Sequence, residues 1–381
     1  MKQKFTQRTV EAAKLYLHAL EGSRKAQFQV AESIANGDFA EPIAPVLAKQ
    51  VVKVYHDTDQ SSDQFTTRKT VSGIDRDETV QVLVIDSDQS NIPDQNMGDR
   101  WIPGTLPTIG PREQYPQIGL FPAYEKKIRA SKVGEAFGID WEAIVNSRGG
   151  EVDLIDNAVS SFGTHAANTG EARVAKQLVK STGFSDAVVA QGKNIPGNPD
   201  FSDAVAFADA LATYQETPIE IDGNEIAYDS YTLLCAPGQE YRYRRMLEAR
   251  ALRRVPARTG TDSEVPGLEY EFNVNIPVTI NVIEWSWLRK VWPGIGKGYI
   301  LVPRGGDAGT YPVLTKNYLR GYEQPSFWVK DANARQYRGG DVNVRADGDF
   351  DSDAIATKVR HVIGANLLWG DGILYSTGSN T

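Results

Sequence analysis

Cysteine is nearly absent: the 381-residue chain holds one, Cys235, and a lone thiol closes no intrachain disulfide. No Asn-x-Ser/Thr sequon occurs either, and both absences fit a chain that matures in a reducing cytoplasm. Long hydrophobic runs are also missing, since none approaches the roughly eighteen apolar residues of a membrane span. Met1-Lys2-Gln3-Lys4 leads into no apolar segment of signal-peptide type, so a soluble chain that is not exported and has no membrane partner is expected. Positive charge is in deficit, with 41 Lys plus Arg against 49 Asp plus Glu and a net charge of −8. A protein whose main task is gripping nucleic acid wants a basic footprint. That class is disfavoured for the chain as a whole, and a local basic patch stays open.

Catalytic chemistry is thin. His18, His56, His165 and His361 are scattered without metal-ligand spacing, so no metal site is expected. His361 falls in an expected strand and reads as structural. Cys235 follows Leu233-Leu234 in a buried strand, where a free cysteine behaves as a small hydrophobe. Gly294-Ile295-Gly296-Lys297-Gly298 lacks the spacer and the Ser/Thr after Lys that a phosphate loop needs, and reads as a turn. Asp347, Asp349, Asp351 and Asp353 alternate as in calcium loops, but the sixth loop position is not glycine and Lys358 stands at the twelfth. An acidic turn is the better reading. No Gly-x-Ser-x-Gly elbow occurs, and the paired carboxylates lie in turns. The chain is therefore read as no enzyme, with no catalytic, cofactor-binding or metal-binding residues and no cofactor.

What is present is organised. Hydrophobic residues make up 41% and aromatics 9%, enough for real cores in one large domain or two to three ordinary ones. Residues 8–36 predict a helix in two pieces, broken at Gly22-Ser23 and ended by Pro42 and Pro45. This stretch is locally basic, through Lys2, Lys4, Arg8, Lys14, Arg24 and Lys25. It suits either a docked terminal helix or an arm that faces a neighbour or a polyanion. Val51 to Tyr55, Phe65 to Val71 and Val80 to Ile85 read as strand–turn–strand, set in a segment rich in aspartate. A two-stranded ribbon of that composition is marginal alone and is expected to lie on another, relatively basic surface. Pro103, Pro107, Pro111, Pro116 and Pro122 punctuate a return path.

From Glu151 to Lys180, apolar residues Val152, Ile155, Val159, Phe162 and Ala166 recur at steps of three and four, the signature of one helix face. Thirty residues at about 1.5 Å each make a helix of about 45 Å, which needs support along its length. Beyond it the pattern predicts a short helix at 202–213, a polar hairpin around Asp222-Gly223 and a buried strand at Tyr231–Leu234. The helix Gln239–Arg254 follows, and then a β-rich C-terminal third, at 270–283, 298–302, 326–329 and 354–363. Arg242, Arg244, Arg245, Arg250, Arg253 and Arg254 crowd that helix beside Tyr241 and Tyr243. Subunit contacts are favoured there, with nucleic acid as the alternative.

The order of these elements resembles a tailed-bacteriophage major capsid protein. The resemblance is carried by the run from Lys132 to Asn146 before the long helix and by Tyr231-Thr232-Leu233-Leu234-Cys235-Ala236-Pro237 before an arginine-rich helix. Asn317 to Pro325, Lys358 to Ala365, Trp369-Gly370-Asp371-Gly372 and Ser376-Thr377-Gly378 complete it. It implies an α+β tailed-phage major capsid fold with an N-terminal arm (1–50), an extended β-hairpin loop (51–107) and a peripheral domain with the long spine helix (108–183). An axial domain (184–345) and C-terminal strands returning to the peripheral domain (346–381) would complete the chain. It also implies self-assembly as hexamers and pentamers into an icosahedral head enclosing double-stranded DNA. A separate scaffolding protein, a portal and a decoration protein would be partners, with assembly in the host bacterial cytoplasm and a place in the virion. Some relatives weld subunits by a Lys–Asn isopeptide bond with a catalytic Glu; Lys69 lies in the ribbon, but no Asn and Glu match, so cross-linking is not carried over. The alternatives are an encapsulin-like nanocompartment shell, or a phage tail or fibre protein.

Overall fold

The computed structural model describes residues 40–85, 120–140, 151–198, 230–248, 279–304, 311–330 and 354–379, with isolated residues and short strands between them. In chain order the main elements begin with α1 (Ala40–Asp57), β1 (Thr67–Val71), β2 (Glu78–Ile85), β3 (Leu120–Ile128), β4 (Ser131–Asp140) and the long α2 (Glu151–Leu178). Then come α3 (Asp186–Gln191), β5 (Lys193–Asn194), β6 (Ser230–Cys235), α4 (Glu240–Glu248), β7 (Thr279–Glu284) and α5 (Ser286–Val291). The last are β8 (Tyr299–Arg304), β9 (Leu314–Leu319), β10 (Ser326–Val329), β11 (Ala354–Leu367) and β12 (Leu374–Ser376).

The class is α+β, built on two five-stranded sheets. In the first, β1 runs parallel to β9, and β9 pairs antiparallel with the C-terminal part of β11. The N-terminal part of β11 carries β10 on one edge and β4 on the other. The second sheet has the order β7-β6-β8-β12-β5. Consecutive strands β11 and β12 enter different sheets, so the C-terminal segment ties the two together. Helix α2 lies against α1 and β11 and reaches α5 beside the second sheet. No described helix is long and apolar enough to cross a membrane.

The long helix forms where its periodicity placed it. Val159, Phe162 and Ala166 are buried; the side chains of Val152 and Ile155 lie outside the described ones. Lower on the same face the residues become small. A Cβ on Gly163 would lie 2.8 Å from the carbonyl oxygen of Val51, and one on Gly170 would lie 2.8 Å from Cδ1 of Ile363. These two glycines, seven residues apart and so on one face of the helix, let α1 and β11 seat directly on the α2 backbone.

Four expectations are corrected. Val51–Tyr55 is helical, because Leu47, Val51 and Tyr55 are buried at a period of four and Pro42 sits in the first turn, where no N–H partner is lost. Thr67–Val71 does not pair with the next strand but joins the first sheet; β2 instead pairs with β3 across the proline-rich segment. Helix α4 stops at Glu248, and Leu252–Arg253 pairs as a strand with Glu271–Phe272. Strand β9 went unread because Leu314-Thr-Lys-Asn-Tyr-Leu is buried on both faces and does not alternate. The hairpin around Asp222-Gly223 forms as expected, with Ile219–Ile221 against Asn224–Ile226. Of the helix expected at 202–213, only Ala208, Leu211 and Ala212 are described, all helical, and the arm before residue 40 lies almost wholly outside the described residues.

Phe162 is 3% exposed and its ring lies 6.1 Å from that of Phe327 on β10. Phe162→Ala is expected to cost about 3–5 kcal/mol, as for other large aromatic deletions, read as a lower denaturant midpoint at unchanged slope. An unchanged midpoint would show that this face of α2 does not hold the sheet.

Candidate functional site: a buried polar junction and the exposed faces around it

The described residues converge on one carboxylate. Glu171, on the apolar face of α2 between Ala167 and Val174, is 1% exposed. Its carboxylate accepts hydrogen bonds from the backbone N–H and the hydroxyl of Ser62. It also accepts from the Trp285 indole at 2.8 Å and from the Lys316 ammonium at 3.2 Å. Lys316, also 1% exposed, reaches the Asp63 carboxylate as well. One side chain thus joins α2, the turn Ser61–Gln64 between α1 and β1, strand β9 of the first sheet and the start of α5 beside the second. Taking charges out of water costs several kcal/mol per ion unless every acceptor is used, and here four donors meet one carboxylate. Two cations and two carboxylates would be symmetric; the actual set is one ammonium between two carboxylates, with the excess negative charge at Asp63, which is 57% exposed. The junction positions elements and offers no nucleophile, base or open ligand position.

Next to it lies an aromatic cluster. His361 on β11 packs edge-on to Tyr55 at 5.3 Å and lies 5.9 Å from Tyr318. Among the described residues neither ring nitrogen has a well-aligned hydrogen bond, and the Gln324 backbone is a nearby polar contact. Burial, and then Arg173, Lys316 and Arg68, push its pKa down to about 4, so the ring is neutral near pH 7. Burial raises the Tyr55 and Tyr318 hydroxyls. An open cleft of about 550 Å³ borders the cluster, lined by Tyr55, Arg68, Tyr318 and Glu323 among others. Arg68 lies over the Tyr318 ring at 4.5 Å and pairs with Glu323 at 3.1 Å.

The residues singled out by sequence are dispersed. His56 sits near the end of α1 beside Gln324, and His165 on α2 lies 2.8 Å from Glu135; His18 is exposed in the arm. Cys235 is buried, its thiol 3.6 Å from the Ile283 carbonyl and pushed up to about 12 by burial and then by Glu284 and Glu240. Residues 294–298 form tight turns, with the N–H of Gly298 on the Ile295 carbonyl. The acidic run 347–353 lies outside the described residues. Lys69 lies in β1 in register with Asn317, not in the ribbon.

The arginine-rich helix is partly spoken for. Tyr243 is buried and donates to the Lys297 carbonyl. Arg244 bonds Glu240 at 2.6 Å and the Val282 carbonyl at 3.3 Å. Tyr241, Arg242 and Arg245 face outward, and Tyr241 is 75% exposed. Likewise the acids of residues 57–78 are mostly used at home: Asp63 on Lys316, Asp75 on Arg129, Glu78 on Ser72. Asp86, Asp88, Asp94 and Asp99 lie in a stretch outside the described residues. Sequence reading missed the junction altogether. Its signal was present as a glutamate inside the apolar stripe of a long helix.

A family model for phage capsid proteins matches residues 123–372, more than half of the chain. No curated protein sequence matches it. Among solved structures it is similar to the Gordonia phage Cozz structure (16% identity, TM-score 0.40, 84% of this chain and 86% of that one). It is also similar to the capsid of Myoviridae Phage XM1 (8% identity, TM-score 0.42, 84% and 92%). A third is the holo-SrpI encapsulin complex from Synechococcus elongatus PCC 7942 (8% identity, TM-score 0.38, 85% and 89%).

Two outcomes follow from the geometry. Glu171→Ala leaves Lys316 with Asp63 alone and takes the acceptor from Ser62 and Trp285, and is expected to destabilise the fold by about 3–5 kcal/mol; Glu171→Gln keeps the acceptor and should cost less, both read by denaturant unfolding. Equal, small losses would mean that the junction carries no stability. For His361 the folded pKa is depressed below the unfolded value near 6.5, so the unfolded state binds more protons between pH about 6.5 and about 4 and stability falls as pH drops through that window. His361→Phe is expected to flatten the slope there, measured as unfolding midpoint against pH; an unchanged slope would place the titration elsewhere.

Proposed function

Because this chain belongs to the phage capsid protein family, we propose that it is the major subunit of an icosahedral phage head, assembling as hexamers and pentamers around double-stranded DNA. A capsid protein is a structural component of the virion that acts through association of many copies. The observation that carries the reading is the family match over residues 123–372, which takes in the long helix α2 and strand β11 packed upon it. A structural role also agrees with where the chain places its buried Glu171–Lys316 pair, which joins secondary-structure elements.

In this reading the ribbon β2–β3 is the extended loop. Helices α1 and α2 with the first sheet form the peripheral domain, and the second sheet forms the axial domain. Contact with packaged DNA is non-specific and weak, as a chain of net charge −8 requires. A separate scaffolding protein, a portal and a decoration protein are the partners proposed for head assembly in the host cytoplasm. The ribbon is the natural inter-subunit tie, because two strands alone are marginal in water and the stretch 86–99 carries Asp86, Asp88, Asp94 and Asp99 with no Lys or Arg within it.

Electron microscopy of the full chain, alone and co-expressed with its scaffold, is the test. Closed icosahedral shells are expected; tubes or small oligomers would overturn the reading, and small closed shells loaded with protein cargo would favour a nanocompartment. Removing residues 86–119 spares Ser62, Asp63 and β1, which the fold needs. The shortened chain is expected to keep its unfolding midpoint and lose shell closure. Normal shells from it would show that the loop is dispensable.

A further inference from the structure

Strand β4 has an unused edge. It pairs with β11 through ten residues, from Ser131 opposite Ile363 to Asp140 opposite Ala354, and with no other described strand. From Gly134 to Gly138 every residue is exposed, including the Phe137 ring. A long, proline-free edge is a template for another strand, and native chains cover, charge or shorten such edges. The fold itself explains Gly134, where a Cβ would lie 2.4 Å from the Val359 carbonyl oxygen. It does not explain Gly138, around which a Cβ would meet nothing within 4 Å, although glycine weakens a strand unless another backbone approaches closely.

The sequence of β4 is complementary to itself when read antiparallel. With Ala136 on the axis, Lys132 comes opposite Asp140, Val133 opposite Ile139, Gly134 opposite Gly138 and Glu135 opposite Phe137. Opposite charges meet, small residues meet small ones and an aliphatic pair forms. Shifting one way puts Glu135 opposite its own copy, a like-charge pair; shifting the other way carries Lys132 past the end of the partner strand. One register therefore stands apart. We propose that a second copy of the chain pairs along this edge about a two-fold axis, fusing two five-stranded sheets into one and covering Phe137. The contact is isologous, and it leans on the shell reading only for the setting in which copies meet.

The test uses the full chain under its own assembly conditions. Ala136→Cys sets two thiols face to face at a Cβ separation of about 4.5–5.5 Å, near disulfide range, and Cys235 is buried and adds no background. Mild oxidation is expected to yield a covalent dimer on a non-reducing gel with Ala136→Cys and not with Lys132→Cys, which does not face itself. Adding Lys132→Asp to Ala136→Cys is expected to lower the dimer yield several-fold, and adding Asp140→Lys as well to restore it. No dimer from Ala136→Cys, or equal yields from both cysteine positions, would overturn the pairing. Shells without the cross-link would overturn the pairing and leave the shell reading standing. Cross-linked dimers without shells would support the pairing and count against the shell.

Discussion

One buried carboxylate organises this molecule. Glu171 leaves α2 inside an apolar stripe and can be tolerated there only because Ser62, Trp285 and Lys316 all donate to it. Each donor comes from a different part of the chain, so satisfying Glu171 fixes α2, the end of α1, one sheet and the approach to the other at once. An apolar residue would pack without specifying which donors surround it. The carboxylate needs donors from several directions, and a misplaced strand β9 would take the Lys316 ammonium away from it.

The rest of the packing works within that constraint. Gly163 and Gly170 bring α1 and β11 onto the α2 backbone, which shortens the distances over which the junction must reach. His361, neutral in its aromatic cluster, keeps a further charge out of a region that already holds Lys316 and Arg173. Strands β11 and β12, consecutive in the chain, lie in different sheets and tie the two covalently. Repeated association needs each copy to present the same surfaces in the same geometry, and packing fixed by a buried, fully bonded carboxylate serves that need.

Much of this was legible in the residues. The three- and four-residue steps from Val152 to Ala166 mark α2, Asp222-Gly223 marks a hairpin, and Leu233-Leu234-Cys235 marks a buried strand. Each is a local pattern with a local cause. The failures share a different cause. Val51 to Tyr55 is as β-prone as any strand, yet its burial at every fourth residue comes from the helix packed beside it. Strand β2 reads correctly as a strand, but its partner lies across a long proline-rich segment, and no neighbouring residue names that partner. The arginines near α4 look alike in sequence, while Arg244 is held by Glu240 and the Val282 carbonyl and Arg245 is exposed.

Sequence alone determined the long helix, the absence of an intrachain disulfide and the family resemblance, because periodicity, composition and short motifs are properties of neighbours along the chain. The tertiary structure decided which strands share a sheet, which acids are consumed by the chain's own cations, and that Glu171, Lys316, Ser62 and Trp285 meet. Those residues are separated by up to 254 positions, from Ser62 to Lys316, and their identities carry no mark of one another. Only burial makes a lone glutamate dependent on three distant donors, and burial is set by the whole fold.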